Sequence, residues 1–350
     1  MYRISRLVLP TALIVLGLSA VAPAATLYSD NFNLPTDSTN WTTNVAPAAN
    51  ASTQDATFGF DYSAFGIPAA PGSSDTLGLR LRANIPGSAL VPVTTRPAGV
   101  TSGLSVSPTG KNFGSNYVVS FYAWSNFNGS PNASGLADNG NSEGGTNNVL
   151  FAAGTSGTVP LVVANTTLAS GASMDGIGFA TTGDGGITND YRVYPKSGTI
   201  SPITTLNAGS YANTNAYYTS LFPAVAAPAI QQTLSTAEYG LDAANTQAGL
   251  TQVGAFGFAW HKVQIVMNGN VAYWFIDNAA IGSLNTSAIT LGGNNIALGV
   301  SDVNSSTTRH PSLLFTVFDN LTVESVPEPS TVCLSLLGLV GLFGGRRRGC

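Results

Sequence analysis

Short alternations of apolar and polar residues dominate this chain. Leu77-Gly78-Leu79-Arg80-Leu81-Arg82 sets both arginines on one face, the period-two pattern of a half-buried strand. Thr26 to Phe32, Asn116 to Trp124, Asn148 to Ala153, Gly176 to Ala180, Asp190 to Tyr194, Asn295 to Val300 and Leu313 to Val323 read as further strands, separated by Gly, Asn and Pro. The clearest stretch runs from Gly254 to Met267, turns at Asn268-Gly269 and returns over Asn270 to Ile276. Asn-Gly between such runs predicts a hairpin, because both residues tolerate positive φ. Asp277-Asn278 then turns the chain into Ala279 to Leu284, and only Pro228 to Glu238 carries a pattern that could make a short helix. Many strands, few helices and no fixed repeat predict an all-β, antiparallel β-sandwich with long loop insertions. The insertions fall at 125–145, polar and glycine-rich, and at 197–252, where Tyr211, Tyr217, Tyr218, Pro223 and Pro228 suggest an ordered cover.

Both ends interrupt this pattern. Arg3 and Arg6 precede an apolar stretch from Leu7 to Leu18 and then Ala22-Pro23-Ala24, which predicts a secretory signal peptide over 1–24. At the other end, Val326-Pro327-Glu328-Pro329-Ser330 is followed by an apolar run from Thr331 to Phe343 and by Arg346-Arg347-Arg348. Ser330 to Gly345 is about 16 residues, or roughly 24 Å of helix, slightly short of the ~20 residues of a comfortable transmembrane helix. The arginines on one side place the C-terminus in the cytoplasm, and the prolines keep the helix from running back into the body. The expected organisation is therefore signal peptide 1–24, one sandwich domain 25–325 and tail 326–350. Cys333 and Cys350 both lie in the tail, so the exported body has no disulfide.

Removing the ends changes the charge. The chain has 13 basic and 17 acidic residues; five of the former and one of the latter lie in the two ends, leaving eight against 16 and a formal charge of −8. Nucleic acid is excluded as a partner, since its binding needs clustered cations. Contact with a membrane is expected only through the C-terminal segment before processing.

The order of a Pro-Glu-Pro motif, one hydrophobic segment and an arginine cluster resembles the PEP-CTERM sorting signal of Gram-negative bacterial surface proteins. The resemblance implies an exosortase-like membrane transpeptidase as partner, with Pro327, Glu328, Pro329, Arg346, Arg347 and Arg348 as sorting and processing residues. It further implies delivery to the cell surface or medium through a transient inner-membrane anchor. In the body, the stretch from Trp260 through the hairpin to Phe318-Asp319-Asn320 is similar to concanavalin A-like or laminin-G-like jelly rolls. That similarity implies a sandwich in which extracellular polysaccharide is a candidate ligand. Asp30-Asn31 and Asp319-Asn320 carry the same pair near the two ends of the body, and their strands are expected to lie side by side.

Catalytic patterns are missing from this body. Glycoside hydrolysis needs two carboxylates about one glycosidic bond, yet the only body glutamates are Glu143, Glu238 and Glu324, none spaced for that role. No Gly-x-Ser-x-Gly elbow occurs, and His261 and His310 are too isolated for a zinc site. The reading is an exported, non-enzymatic surface or matrix protein; a secreted hydrolase with carboxylates gathered from separate strands is the alternative. The best local constellation is Gly183 to Tyr191, in which Asp184, Asn189 and Asp190 offer hard oxygens and Tyr191 a ring. Turn chemistry, Ca²⁺ and sugar binding all fit it. Trp124 and Trp274 are candidate stacking platforms, and Asp30 with Asp319 a candidate Ca²⁺ pair. No other cofactor is expected.

Overall fold

Alternation along 261–276 builds the predicted hairpin one residue further on than Asn268-Gly269. In the computed structural model Asn268 pairs with Val271, so Gly269 and Asn270 form the loop, with Gly269 at φ 57°, the first-position glycine of a type II′ turn. The next turn uses Asp277 and Asn278, at φ 50° and 66°, as type I′ requires. The structure describes residues 24–46, 48, 54–83, 102–127, 147–163, 174–185, 189–195, 205–231, 233–234, 250–302 and 311–326. The chain divides into two units, and the larger, Thr26–Ser325, holds all the strands among the described residues.

In chain order the strands are β1 (Thr26–Asp30), β2 (Trp41–Ala46), β3 (Asp55–Asp61), β4 (Leu77–Arg82), β5 (Ser102–Pro108), β6 (Asn116–Asn126), β7 (Asn147–Thr155) and β8 (Ile177–Thr182). There follow β9 (Tyr191–Tyr194), β10 (Thr205–Leu206), helix α1 (Ala216–Leu221), β11 (His261–Asn268), β12 (Val271–Ile276), β13 (Ala279–Asn285), β14 (Asn295–Asp302) and β15 (Phe315–Ser325). They form two sheets. One runs β10-β13-β12-β11-β6-β15-β4-β3, with β1 also paired to β15; the other runs β2-β5-β14-β7-β8-β9. Every pairing is antiparallel. The fold is an antiparallel β-sandwich.

Between the sheets lies one apolar core drawn from both, with Val119, Phe121, Val263, Ile265 and Trp274 of the first facing Leu104, Phe151, Phe179, Leu298 and Val300 of the second. The first sheet shows the expected alternation: β11 is buried at every second residue from His261 to Met267. The second does not, because β5, β8, β9 and β14 are buried throughout.

Several boundaries differ from the sequence reading. The stretch 254–260 is turns, not strand, because Gly254 and Phe258 take φ 88° and 57°. Helix α1, absent from that reading, is six residues long and starts where the Asn215 side chain accepts the Tyr217 N–H at 2.9 Å, an N-cap. Within the predicted helix 228–238, residues 229–231 and 233–234 are helical; 235–238 lie outside the described residues. Among the described residues, no helix is long and apolar enough to cross a membrane. The apolar segment 331–343 and residues Pro327, Glu328, Pro329 and Arg346 to Arg348 lie outside the described residues, as does the signal segment to residue 23.

Candidate functional site

An open sheet face is the simplest place for a sandwich to hold a chain-like ligand, and here the outer face of the six-stranded sheet is filled. The Leu161 N–H donates to Ser105 Oγ at 3.1 Å and the Val163 N–H to Ser301 Oγ at 3.2 Å, which lays residues 161–163 over β5 and β14. Leu161, Val163 and Met174 pack with Leu150, Ala152, Ala180, Tyr194 and Ala297 into a second apolar cluster. Small residues beneath make this possible. A Cβ at Gly178 would meet the Met174 side chain at 2.5 Å.

At the β7, β8 and β9 end of this face the chain places the Asp184–Asp190 loop. Asp190 is buried; its Oδ1 accepts Thr182 Oγ1 at 2.6 Å and its Oδ2 accepts the Asn213 N–H at 3.0 Å. Arg192, on β9, is fully buried. Its Nε donates to the Asn189 carbonyl and its Nη1 reaches the Tyr194 hydroxyl at 3.4 Å. Burial, then the neighbouring Asp190 charge, pushes the Asp184 carboxyl up to about 7, while the Arg192 charge pulls it back. The protein's own guanidinium thus sits in this loop: the Asn189 carbonyl accepts from it and its charge acts on Asp184, while Asp190 is held by Thr182 and Asn213. Sequence reasoning missed Arg192, because a lone strand arginine reads as a solvated one. Tyr191 points the other way, stacked on Tyr218 at 4.0 Å with its hydroxyl on the Gly254 carbonyl at 2.7 Å. Its ring is core and is removed from any ligand. Residues 186–188 lie outside the described residues.

The two proposed stacking tryptophans are likewise interior. Trp274 is fully buried among Phe151, Phe179 and Tyr191, with ring centroids 5.6, 5.5 and 6.1 Å away. Trp124 is edge-on to Trp260 at 5.8 Å and donates to Asn126 Oδ1 at 3.3 Å. Their faces pack against protein, as most sandwich aromatics do. His261 is buried between Phe222 and Phe256 and its Nδ1 meets Asp277 Oδ2 at 2.6 Å. The same Asp277 accepts the Lys262 N–H at 2.8 Å, so the pair locks the turn between β12 and β13.

Asp30 and Asp319 lie on neighbouring strands, since β1 pairs with β15 and Asp30 sits opposite Leu321. Each carboxylate has its own donors. Asp30 accepts Trp41 Nε1 at 2.7 Å and the Phe32 N–H at 2.8 Å; Asp319 accepts the Tyr62 hydroxyl at 3.0 Å and the Asn320 N–H at 2.6 Å. Among the described residues, no group of three or more His, Cys, Asp or Glu gathers to hold a metal ion. Burial lifts the Asp319 pKa to about 6 against the pull of the Tyr62 and Asn320 hydrogen bonds.

That shift has a measurable sign. The folded chain keeps the Asp319 proton to about pH 6, whereas the unfolded chain loses it near 3.8. Its contribution to stability is therefore full below about pH 4 and is lost as pH rises through 6. A rise of this size corresponds to about 3 kcal/mol. Thermal unfolding of Asp319→Asn between pH 4 and 7 should show a flatter dependence than the parent; an unchanged slope would remove Asp319 as its source.

Beside these two aspartates the first sheet forks. β15 pairs with β4 over Thr316 to Phe318 and with β1 over Leu321 to Glu324. Between the two, the ladder of β15 with β6 shifts register at Asn320-Leu321, a bulge with Asn320 at φ 51°. An open cleft of about 610 Å³ results, lined by Tyr28, Ser29, Asp30, Asn31, Asp37 and Asn40 on one side and Asn320, Leu321 and Thr322 on the other.

With this geometry described, comparison with known proteins adds one assignment. Residues 325–348 match the PEP-CTERM protein-sorting motif. No curated protein matches the chain in sequence. Among solved structures, it is similar to a protein of unknown function with a galectin-like fold from Bacillus subtilis, at 8% identity and TM-score 0.37, covering 86% of this chain and 96% of that one. It is also similar to the alginate lyase vAL-1 from Chlorella virus, at 10% identity and TM-score 0.36, covering 86% and 100%. A third is the carbohydrate recognition domain of Emp46p, at 10% identity and TM-score 0.35, covering 85% and 95%. The sandwich assignment rests on the sheet topology above.

Proposed function

We propose that this chain is an exported, non-catalytic β-sandwich, released from its signal peptide, processed at its C-terminus by an exosortase and displayed at the cell surface or in the extracellular matrix, where it contacts polysaccharide. The sorting motif carries the proposal: residues 325–348 match it, and β15 ends at Ser325. Losing the tail therefore costs the sandwich no strand. The use of its acids supports the non-catalytic part. Asp30, Asp61, Asp75, Asp175, Asp277 and Asp319 each accept a backbone N–H, so they serve as turn and strand-end clamps. A glycosidase instead needs a carboxyl pair facing a groove.

The intact mass of the protein recovered from outside its own cells tests the sorting half. The expected species begins near Ala25 and lacks Arg346 to Arg348. Surface-exposed protein with that arginine tail intact would overturn it.

A further inference from the structure

The fork between β1 and β4 leaves a cleft whose chemistry neither the sorting tail nor the packing of the core accounts for. Its size falls within the ~300–1,000 Å³ of ligand pockets, and its lining is specific in three ways. First, hydrogen-bonding capacity is left over. Among the described residues, the side chains of Ser29, Asn31, Asn40 and Thr322 have no hydrogen-bond partner, and Ser29 sits directly opposite Thr322 across the β1–β15 ladder. Second, the cleft has no lysine or arginine in its lining and carries two carboxylates, Asp30 and Asp37. Both act on the Tyr28 hydroxyl, which donates to Asp30 at 3.3 Å. An anionic ligand would meet like charge here. Third, apolar surface is scarce. Leu321 is buried, and the Tyr28 ring is used internally, against Trp41 and Phe113 at 5.9 and 6.3 Å with the Lys111 ammonium 5.4 Å over it. A lipid or apolar peptide would find little to bury, and a ligand would be held by hydrogen bonds more than by stacking.

The walls are also held in place. Asp30 is fixed by Trp41 Nε1 and the Phe32 N–H; one Asp37 oxygen accepts the Leu34 N–H at 2.9 Å. A preorganised cleft loses less freedom on binding. We propose that the cleft between β1, β15 and the 3-10 turn Pro35–Asn40 binds an uncharged, hydroxyl-rich oligosaccharide segment of an extracellular polysaccharide. Sugar hydroxyls would donate to Asp37 and to the Asn31 and Asn40 carbonyls, and accept from their amides and from Thr322. This deepens the polysaccharide half of the proposed function and depends on it.

The test uses the mature protein recovered after export, titrated calorimetrically with neutral glucan, mannan and galactan oligosaccharides, with polyuronate oligosaccharides and with Ca²⁺ alone. One neutral series should bind and polyuronates should not. The exposed pair Asn31→Ala/Asn40→Ala should weaken that binding about tenfold or more, equivalent to the loss of about 1.4 kcal/mol, with an unchanged melting temperature. Asp184→Asn, at the β8–β9 loop, should leave it intact. Neutral binding that the double variant does not change would overturn the cleft assignment while leaving polysaccharide contact standing. Binding that Asp184→Asn abolishes would do the same and move the site to the β8–β9 loop. Binding of polyuronates in place of the neutral series, or of no oligosaccharide, would overturn the cleft assignment; the second would remove polysaccharide contact as well.

Discussion

Replacing Trp274 with alanine lowers the stability of the body by about 3–5 kcal/mol, the usual cost of deleting a large buried aromatic. For a body of about 300 residues that is a fall of roughly 5–8 °C in melting temperature. The side chain is fully buried on β12 of the first sheet and packs across the core onto Phe151, Phe179 and Tyr191 of the second. Those three rings are themselves packed, Tyr191 against Tyr218 at 4.0 Å, so the space left cannot close without disturbing a stacked pair. Tyr273 is the control. One residue earlier, it points outward and is 38% exposed, and its replacement by alanine should fall within about 0.5 kcal/mol, as surface changes do. Scanning calorimetry of the two variants separates an interior ring from a surface platform. Equal, small effects would mean that Trp274 is not core.

Changing Pro327, Glu328 and Pro329 together to alanine should stop C-terminal processing. The protein should then accumulate in the membrane fraction with Arg346 to Arg348 still attached, and surface-exposed protein should all but disappear. Replacing the three arginines by glutamine should act by a different route, since the cations retained on the cytoplasmic side hold the orientation of the segment. Mass spectrometry of the C-terminal peptide in membrane and external fractions reads both. Neither change should alter the unfolding of the body, because the ladder partners of β15 end with Ser325 opposite Tyr117. Normal external release of the Pro-Glu-Pro variant would remove this motif as the processing signal.

Much of this was open to reading from the residues alone, for a common reason. Where a strand has one wet and one dry face, the period-two pattern is forced on the sequence, and β4, β6, β11, β12, β13 and β15 were all visible. Strand β5 was not. Its Ser102-Gly103-Leu104-Ser105-Val106-Ser107-Pro108 is not among the strands read from the sequence, yet every residue is buried, with residues 161–163 laid over it on the Ser105 hydroxyl. The pairing of the end strands was visible through matching Asp-Asn pairs. Arg192 escaped, since nothing local distinguishes a buried guanidinium from a solvated one. Trp124, Trp274 and Tyr191 show the same limit: composition identifies an aromatic but not which side of it is filled.

By itself, then, the sequence determined the all-β class, most of the strands and the chemistry of the C-terminal motif, because each is written in local pattern or in contiguous motif. Tertiary structure alone decided which sheet face is closed and where a ligand could enter. The cleft joins residues 28–40 to 320–322, nearly the whole chain apart, and exists only because β1 and β4 share one neighbour and leave a bulge between them. Which strands share a partner depends on long-range pairing and on how the core fills, and neither leaves a local mark in the sequence.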